Sequence, residues 1–310
     1  MKIENLLLEN WEAPTILKEI PHGDMPGDKV EINETHVLKA NLIFPKLLQE
    51  LQYVMTKSGQ EKAVIAVCGG SGVGKSETAS LLAYYLNEAG IGAYTMSGDN
   101  YPHRIPKYND AERLHVFRES ALKGMIAAGT YTKERVECIH NLQVKEDDAN
   151  PKYSKEYDWF STYLEAGRRG LSRYLGTSCE TGFDEVENIV SQFKNGADHI
   201  FLKRMGREDT DLWYEDVNFS DIQVLIIEWT HGNSDCFEGV DIPILLNSTP
   251  EETLEHRRSR ARDGAVDSSF TTMVLELEQQ LLMSQAHKAK IIVTKSGDLI
   301  DYNQYCELMR

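Results

Sequence analysis

The residues best suited to chemistry stand in one run, Gly69-Gly70-Ser71-Gly72-Val73-Gly74-Lys75-Ser76, which fits the spacing GxxxxGK[ST]. Glycines so spaced let backbone N–H groups turn inward around phosphate oxygens, where a Cβ would obstruct them. Lys75 can then reach the β- and γ-phosphates of a nucleoside triphosphate, and the Ser76 hydroxyl can ligate Mg²⁺. ATP or GTP with Mg²⁺ is the expected cofactor pair. Asp99 closes a second apolar stretch and could take a proton from an acceptor hydroxyl or help position the metal. Glu228 ends the run Gln223-Val224-Leu225-Ile226-Ile227, the pattern of a buried strand that delivers an acid to the metal shell. Arg257, Arg258, Arg260 and Arg262 crowd one segment. Arg258 and Arg262 are four apart, on one helical face, and suit a lid over the triphosphate. Tyr101 and Arg104 after Asp99, Arg204 in a basic turn, and His231 after Glu228 are the candidate acceptor contacts. Each has a plainer reading: a glycine-rich turn, an Asp-Asn turn, a strand-capping glutamate, or cations set against a helix C-terminus.

The elements that must position these residues follow from the apolar pattern. Residues 63–68 read as a buried strand and 75–87 as a helix, with Gly90 beyond its C-cap. Residues 92–97 read as a second strand parallel to the first, which leads to a three-layer α/β architecture with a mostly parallel central sheet. Ligands bind at the carboxyl ends of such strands, where Asp99 and Glu228 fall. Further helices are expected over 109–128, capped by Asn109 or Asp110 with Phe117, Leu122, Met125 and Ile126 on one face, and over 159–175, 183–193 and 269–283. The pattern weakens over 136–153. Residues 200–207 read as a strand entering a basic turn, and 242–247 and 290–294 as strands. Trp213 and Tyr214 are expected in the core. Thr249 to Glu252 forms a capping box with Pro250 at the first helical position. Before the glycine loop, a strand is expected near 29–32 and a helix over 37–55 broken by Pro45. Three segments result: an extension over 1–62, a nucleotide-binding domain over 63–296 and a short tail over 297–310.

With 310 residues, 41% hydrophobic, the chain can bury a core. A net charge of −16 argues against a general nucleic-acid binder. A local basic pocket for an anionic acceptor remains compatible with it. Five scattered cysteines with no CxxC pair suggest reduced thiols in a cytoplasmic protein, not a disulfide framework or zinc site. No signal peptide or membrane span is evident. The extension is expected to pack on the core or to serve a homo-oligomer contact.

The order of glycine loop, strand-end Asp99, helical insert, Leu225-Ile226-Ile227-Glu228 and arginine-rich helix resembles the uridine kinase and phosphoribulokinase-like group of P-loop kinases, over roughly residues 63–296. The resemblance implies a P-loop fold with helical insert and lid, and ATP rather than GTP. It makes Asp99 the catalytic base, Glu228 the metal-side acid, and Arg258 and Arg262 the lid cations beside Lys75. It places residues 287–290 beside the nucleotide base and residues 184–207 in the acceptor region. The acceptor would be a small molecule of the nucleoside, sugar or hydroxy-acid class. Gly98-Asp99-Asn100 and Asn109-Asp110-Ala111-Glu112-Arg113 also resemble stretches of adenylylsulfate kinases, although the insert over 130–220 does not fit that compact family. A nucleotide-dependent ATPase or switch without a small acceptor is the reading from a different class.

Overall fold

The computed structural model describes residues 11–16, 20–28, 30–249, 252–254 and 268–309. Its centre is a six-stranded sheet built from β1 (Ala63–Gly69), β2 (Ala93–Ser97), β5 (Val224–Glu228), β6 (Ile242–Leu246), β7 (Ile291–Val293) and β8 (Leu299–Ile300). The strand order is β2-β5-β1-β6-β7-β8. All neighbours are parallel except β7 and β8. Every residue of β1, β5 and β6 is buried, as parallel strands covered on both faces require. The pleat divides their side chains between two layers. Ala63, Ile65 and Val67 join Val224 and Ile226 beneath α1 (Glu34–Ser58) and α2 (Lys75–Glu88). Val64, Leu225 and Ile227 face the opposite layer, with α6 (Phe183–Lys194) and β3 (His199–Met205).

The first sixty residues depart from their expected form. No strand occurs among the described residues 30–32. The helix is not broken at Pro45: α1 runs unbroken for 25 residues, with a capping box at Asn33 and a left-handed Gly59 at its end. One missing N–H is outweighed by the buried stripe Ala40, Ile43, Phe44, Leu47, Leu48 and Leu51, which lies in the same apolar layer as α2.

The insert comprises α3 (Pro106–Ala127), α4 (Lys133–Val144) and α5 (Phe160–Ser172), and shares a core with α7 (Ser269–Gln285). Helix α3 starts at Pro106, ahead of the expected Asn109 or Asp110 cap. Its buried face is Phe117, Ala121 and Met125, while Ile126 is exposed. Glycines mid-helix are costly by propensity, and here close packing explains them. A Cβ at Gly170 would lie 2.0 Å from Ser120 Oγ, and one at Gly124 would lie 2.1 Å from Ala166 Cβ. Helix α4 occupies the region whose pattern looked weak, because only Ile139 and Leu142 of it are buried.

The strand β3 pairs with β4 (Leu212–Asn218) in a separate antiparallel hairpin. Trp213 and Tyr214 lie on β4 and are exposed, contrary to the expected core placement; every residue of β4 except the half-buried Val217 is exposed. The tail adds β8 and α8 (Tyr302–Leu308), and Tyr305 packs with Cys68 and Ile292. The capping box forms: Thr249 N donates to Glu252 Oε2 at 2.8 Å, and Glu252 N to Thr249 Oγ1 at 3.3 Å. Among the described residues, no helix is long and apolar enough to cross a membrane.

Candidate active site

Strand β1 ends at Gly69, whose φ is 152°, and an added Cβ there would meet Leu246 O at 2.5 Å. Gly72 and Gly74 take left-handed φ values of 77° and 92°, which a side chain would strain. Gly74 is the N-cap of α2 and supplies no side-chain cap, so the first amides of that helix remain available to an anion. Lys75 Nζ donates to Gly70 O at 3.1 Å, back over the loop.

The register delivers the acid opposite. Glu228 pairs with Val67 of β1 on one side and Ser97 of β2 on the other. Its carboxylate accepts from Ser76 Oγ at 3.0 Å and from Ser97 Oγ at 2.9 Å. Burial, reinforced by the charge of Asp99, pushes Glu228 up to about 7, against the pull of Lys75 and the two hydroxyls. A half-buried hydroxyl and a buried carboxylate 3.0 Å apart form the hard-oxygen donor pair that suits Mg²⁺. No cluster of three or more His, Cys, Asp or Glu suited to a metal occurs among the described residues. A metal at Ser76 and Glu228 would therefore complete its shell with water and phosphate oxygens.

Asp99 is the middle residue of a 3₁₀ turn, Gly98–Asn100, at the end of β2. This turn is fixed from two sides. A Cβ at Gly98 would lie 2.0 Å from Trp229 Cγ. On the other side Asp24, from the extension, accepts from Ser97 N at 2.7 Å and Asn100 Nδ2 at 3.0 Å. Burial pushes Asp24 up to about 6, although Arg204 and the hydrogen bonds from Ser97 N and Tyr94 pull it back, so it is ionised at neutral pH.

Two cavities meet at Asp99. One, of about 570 Å³, runs along Ser71, Gly72, Lys75, Ser76 and Glu228, and is bordered by Met25, Pro26, Gly27 and Asp28. The other, of about 470 Å³, extends under the insert toward His231, Phe270 and Val274. Ser71, Asp99, Asn109, Arg113 and Thr230 line both.

Of the four candidate acceptor contacts, His231 alone lines either cavity. Burial pushes its imidazole down to about 4, so it is neutral there. Tyr101 is fully buried and its hydroxyl points to Met96 Sδ at 3.7 Å. Arg104 donates to the Tyr174 hydroxyl at 3.2 Å and pairs with Glu112 at 3.7 Å. Arg204 is engaged by Asp24 at 2.8 Å, Glu215 at 2.9 Å and the Tyr94 hydroxyl at 3.0 Å, in a buried knot behind the site. Arg258 and Arg262 lie outside the described residues.

Several cavity residues escaped the sequence reading. Arg113 Nε donates to Glu180 Oε1 at 2.6 Å, and its Nη2 lies 3.5 Å from Glu278 Oε1. Glu180 also accepts from Asn109 Nδ2 at 3.1 Å and Gly176 N at 2.7 Å. Burial acts to raise Glu180, but Arg113 and the Gly176 amide leave it below the usual carboxylate range. Arg118 makes a two-point pair with Asp148, at 3.0 and 2.7 Å. Asn109 and Arg113 are four apart on α3, one usable signal. Nothing local tied them to Glu180, which is 71 residues from Asn109.

The glycine loop, the strand order and the acid facing Ser76 decide the fold. It is a P-loop nucleotide-binding fold. No family model matches the chain. A curated relative, the bifunctional alpha-galactosidase/sucrose kinase AgaSK of Mediterraneibacter gnavus, is 36% identical over 256 residues, which is 83% of this chain. The match spans 22% of the relative's length. Among solved structures, D-glycerate 3-kinase from Cryptococcus neoformans is similar over 87% of this chain and 99% of its own, with a TM-score of 0.46 and 11% identity. A possible uridine kinase from Bacillus stearothermophilus is similar over 80% of this chain and 98% of its own, with a TM-score of 0.36 and 13% identity. Adenylylsulfate kinase, one of the readings above, is not supported by the named relative, and residues 130–220, expected not to fit that compact family, hold α4, α5, α6 and the β3–β4 hairpin.

Proposed function

We propose that the chain is an ATP-dependent kinase that phosphorylates a hydroxyl of a neutral carbohydrate, with Asp99 as the base. The observation that carries this reading is the place of Asp99 on the wall common to both cavities. One cavity runs along the phosphate loop, and the other offers room for a small polar molecule. A hydroxyl entering from the second cavity would meet the γ-phosphate at Asp99, which accepts its proton as the new O–P bond forms. Lys75 and the arginines of residues 257–262 would offset charge on the transferred group. Mg²⁺, held through Ser76 and Glu228, supplies charge neutralisation of the β- and γ-phosphate oxygens when bound.

The electrostatics favour a neutral acceptor over the anionic one also considered. Six carboxylates line the second cavity, Asp99, Asp110, Glu146, Asp148, Glu180 and Glu278, against two guanidinium groups. Both arginines there are already paired, Arg113 with Glu180 and Arg118 with Asp148. The cavity therefore carries excess negative charge, which disfavours an anion and leaves carboxylate oxygens to accept from hydroxyls. Sucrose is the first acceptor to test, given the sucrose kinase activity in the name of the 36% identical relative. A cytoplasmic location, where ATP is abundant, is part of this proposal.

The test is ADP release with and without sucrose, monosaccharides, polyols, nucleosides and hydroxy acids. A neutral sugar is expected to stimulate release, with a phosphorylated sugar as product. ATP hydrolysis that proceeds at one rate whatever is added would favour the switch reading and sink the kinase.

A further inference from the structure

We infer that Asp24, in the extension before the glycine loop, is a positioning residue that fixes the turn carrying Asp99, so that the strap over residues 20–28 is part of the phosphotransfer site. The inference rests on the kinase reading for its activity consequence, but its geometry stands apart from the acceptor's identity.

Four donors converge on the two oxygens of Asp24. Ser97 N lies at 2.7 Å and Asn100 Nδ2 at 3.0 Å from Oδ1. Arg204 Nη1 lies at 2.8 Å and the Tyr94 hydroxyl at 3.0 Å from Oδ2. Ser97 is the last residue of β2 and Asn100 the last of the 3₁₀ turn, so one carboxylate holds both ends of the segment whose centre is Asp99. An outer strand leaves backbone donors without a neighbouring strand, and β2 is the outermost strand at its end of the sheet. Asp24 satisfies one of them at the point where the chemistry begins. The Asn100 amide carries the link further, because its Oδ1 accepts from Met205 N at 3.0 Å. Arg204 ties the same knot to Glu215 of β4. The strap, the Asp99 turn and the β3–β4 hairpin are thereby joined through a single acid.

The chain after Asp24 continues into the phosphate-side cavity. Met25 to Asp28 form a tight turn, in which Asp28 N donates to Met25 O at 3.2 Å and Gly27 takes a φ of 71°. Proline followed by a left-handed glycine is the sequence such a turn requires. The same four residues line the cavity with Lys75, Ser76, Asp99 and Glu228. A carboxylate that only stabilised the fold would have no need to hold the turn on both flanks of the base. An isosteric amide keeps the shape but has one acceptor oxygen, so it cannot serve the turn's donors and Arg204 together, and its N–H groups face a donor on the other side, which loosens the hold on the turn.

The experiment compares wild type, Asp24→Asn and Tyr94→Phe, the last removing one of the four donors and serving as the milder variant should Asp24→Asn fold poorly. Asp24→Asn is expected to lower kcat by about 10- to 100-fold, the scale of a misplaced reacting group, with the KM for ATP within about twofold. Tyr94→Phe is expected to give a smaller drop of the same kind. Hydrogen exchange is read in parallel on both variants. Amides 97–101 should exchange faster while β1 and β5 keep their protection. Full kcat in Asp24→Asn, or a loss accompanied by uniform loss of protection across the sheet, would overturn the assignment. A wild type inert toward every acceptor would instead defeat the kinase reading, and the exchange data would still decide whether Asp24 holds the turn.

Discussion

Eight consecutive residues, Gly69 to Ser76, make the proposed grip on phosphate, whereas the proposed acceptor cavity is assembled from α3, the stretch after α4, residues near Glu180, the loop after β5 and α7. The first side works through main-chain amides and tolerates no Cβ at Gly69 or Gly74 without strain. The second is built from side chains that meet across long sequence separations, as Arg113 does with Glu180. The difference teaches that nucleotide binding and acceptor choice can vary separately. Asp99 is the joint between them. On the proposed acceptor side a substitution is expected to act on folding as well as on selectivity, because the lining arginines are held in buried ion pairs.

The sharpest way to break this division is at the joint. Asp99→Asn should lower transfer by about 10²- to 10⁴-fold while leaving nucleotide affinity intact, measured by single-turnover transfer beside a nucleotide titration. If transfer survives, Asp99 is not the base. On the phosphate side alone, Lys75→Met should cost about 10²- to 10³-fold in kcat and weaken ATP binding as well, with acceptor binding unchanged. A loss confined to the acceptor KM would contradict the separation.

On the acceptor side, Glu180→Gln leaves the Arg113 guanidinium short of its main partner. Glu180 is 1% exposed, so the expected loss is about 3 kcal/mol of stability, read by denaturant unfolding. The acceptor KM should rise while that for ATP does not, and the reverse pattern would erase the contrast. The smallest effect expected is on pH dependence. His231 has its pKa lowered to about 4 in the fold, so the unfolded chain binds the extra proton first. Stability should therefore fall as pH drops from about 6.5 toward 4, by roughly 2–3 kcal/mol, and His231→Gln should flatten that part of the profile. An unchanged profile would show that the imidazole is not held neutral.

Legibility followed the same boundary. The loop, Asp99 at the end of β2 and Glu228 at the end of β5 could be read because each sits in a contiguous strand-and-turn pattern whose backbone geometry is local. Arg204 and Arg104 looked like free cations in an acidic chain, and only their partners Asp24, Glu215 and Glu112, distant or unremarkable in sequence, reveal how they are engaged. Helix α4 was missed because it buries too few residues to write a period. The unbroken α1 was missed because a proline's local cost was set against nothing, when the packing of Phe44, Leu47 and Leu48 outweighed it.

The sequence by itself determined the phosphate loop, the parallel strands around it and the two acids at their ends, since glycine conformation and strand burial are short-range properties. Tertiary structure alone decided that an aspartate from the extension grips the Asp99 turn, and that both arginines of the second cavity are held by buried carboxylates. Those outcomes depend on which distant side chains meet in a medium of low dielectric, where an unpartnered charge is costly, and no local pattern encodes that meeting.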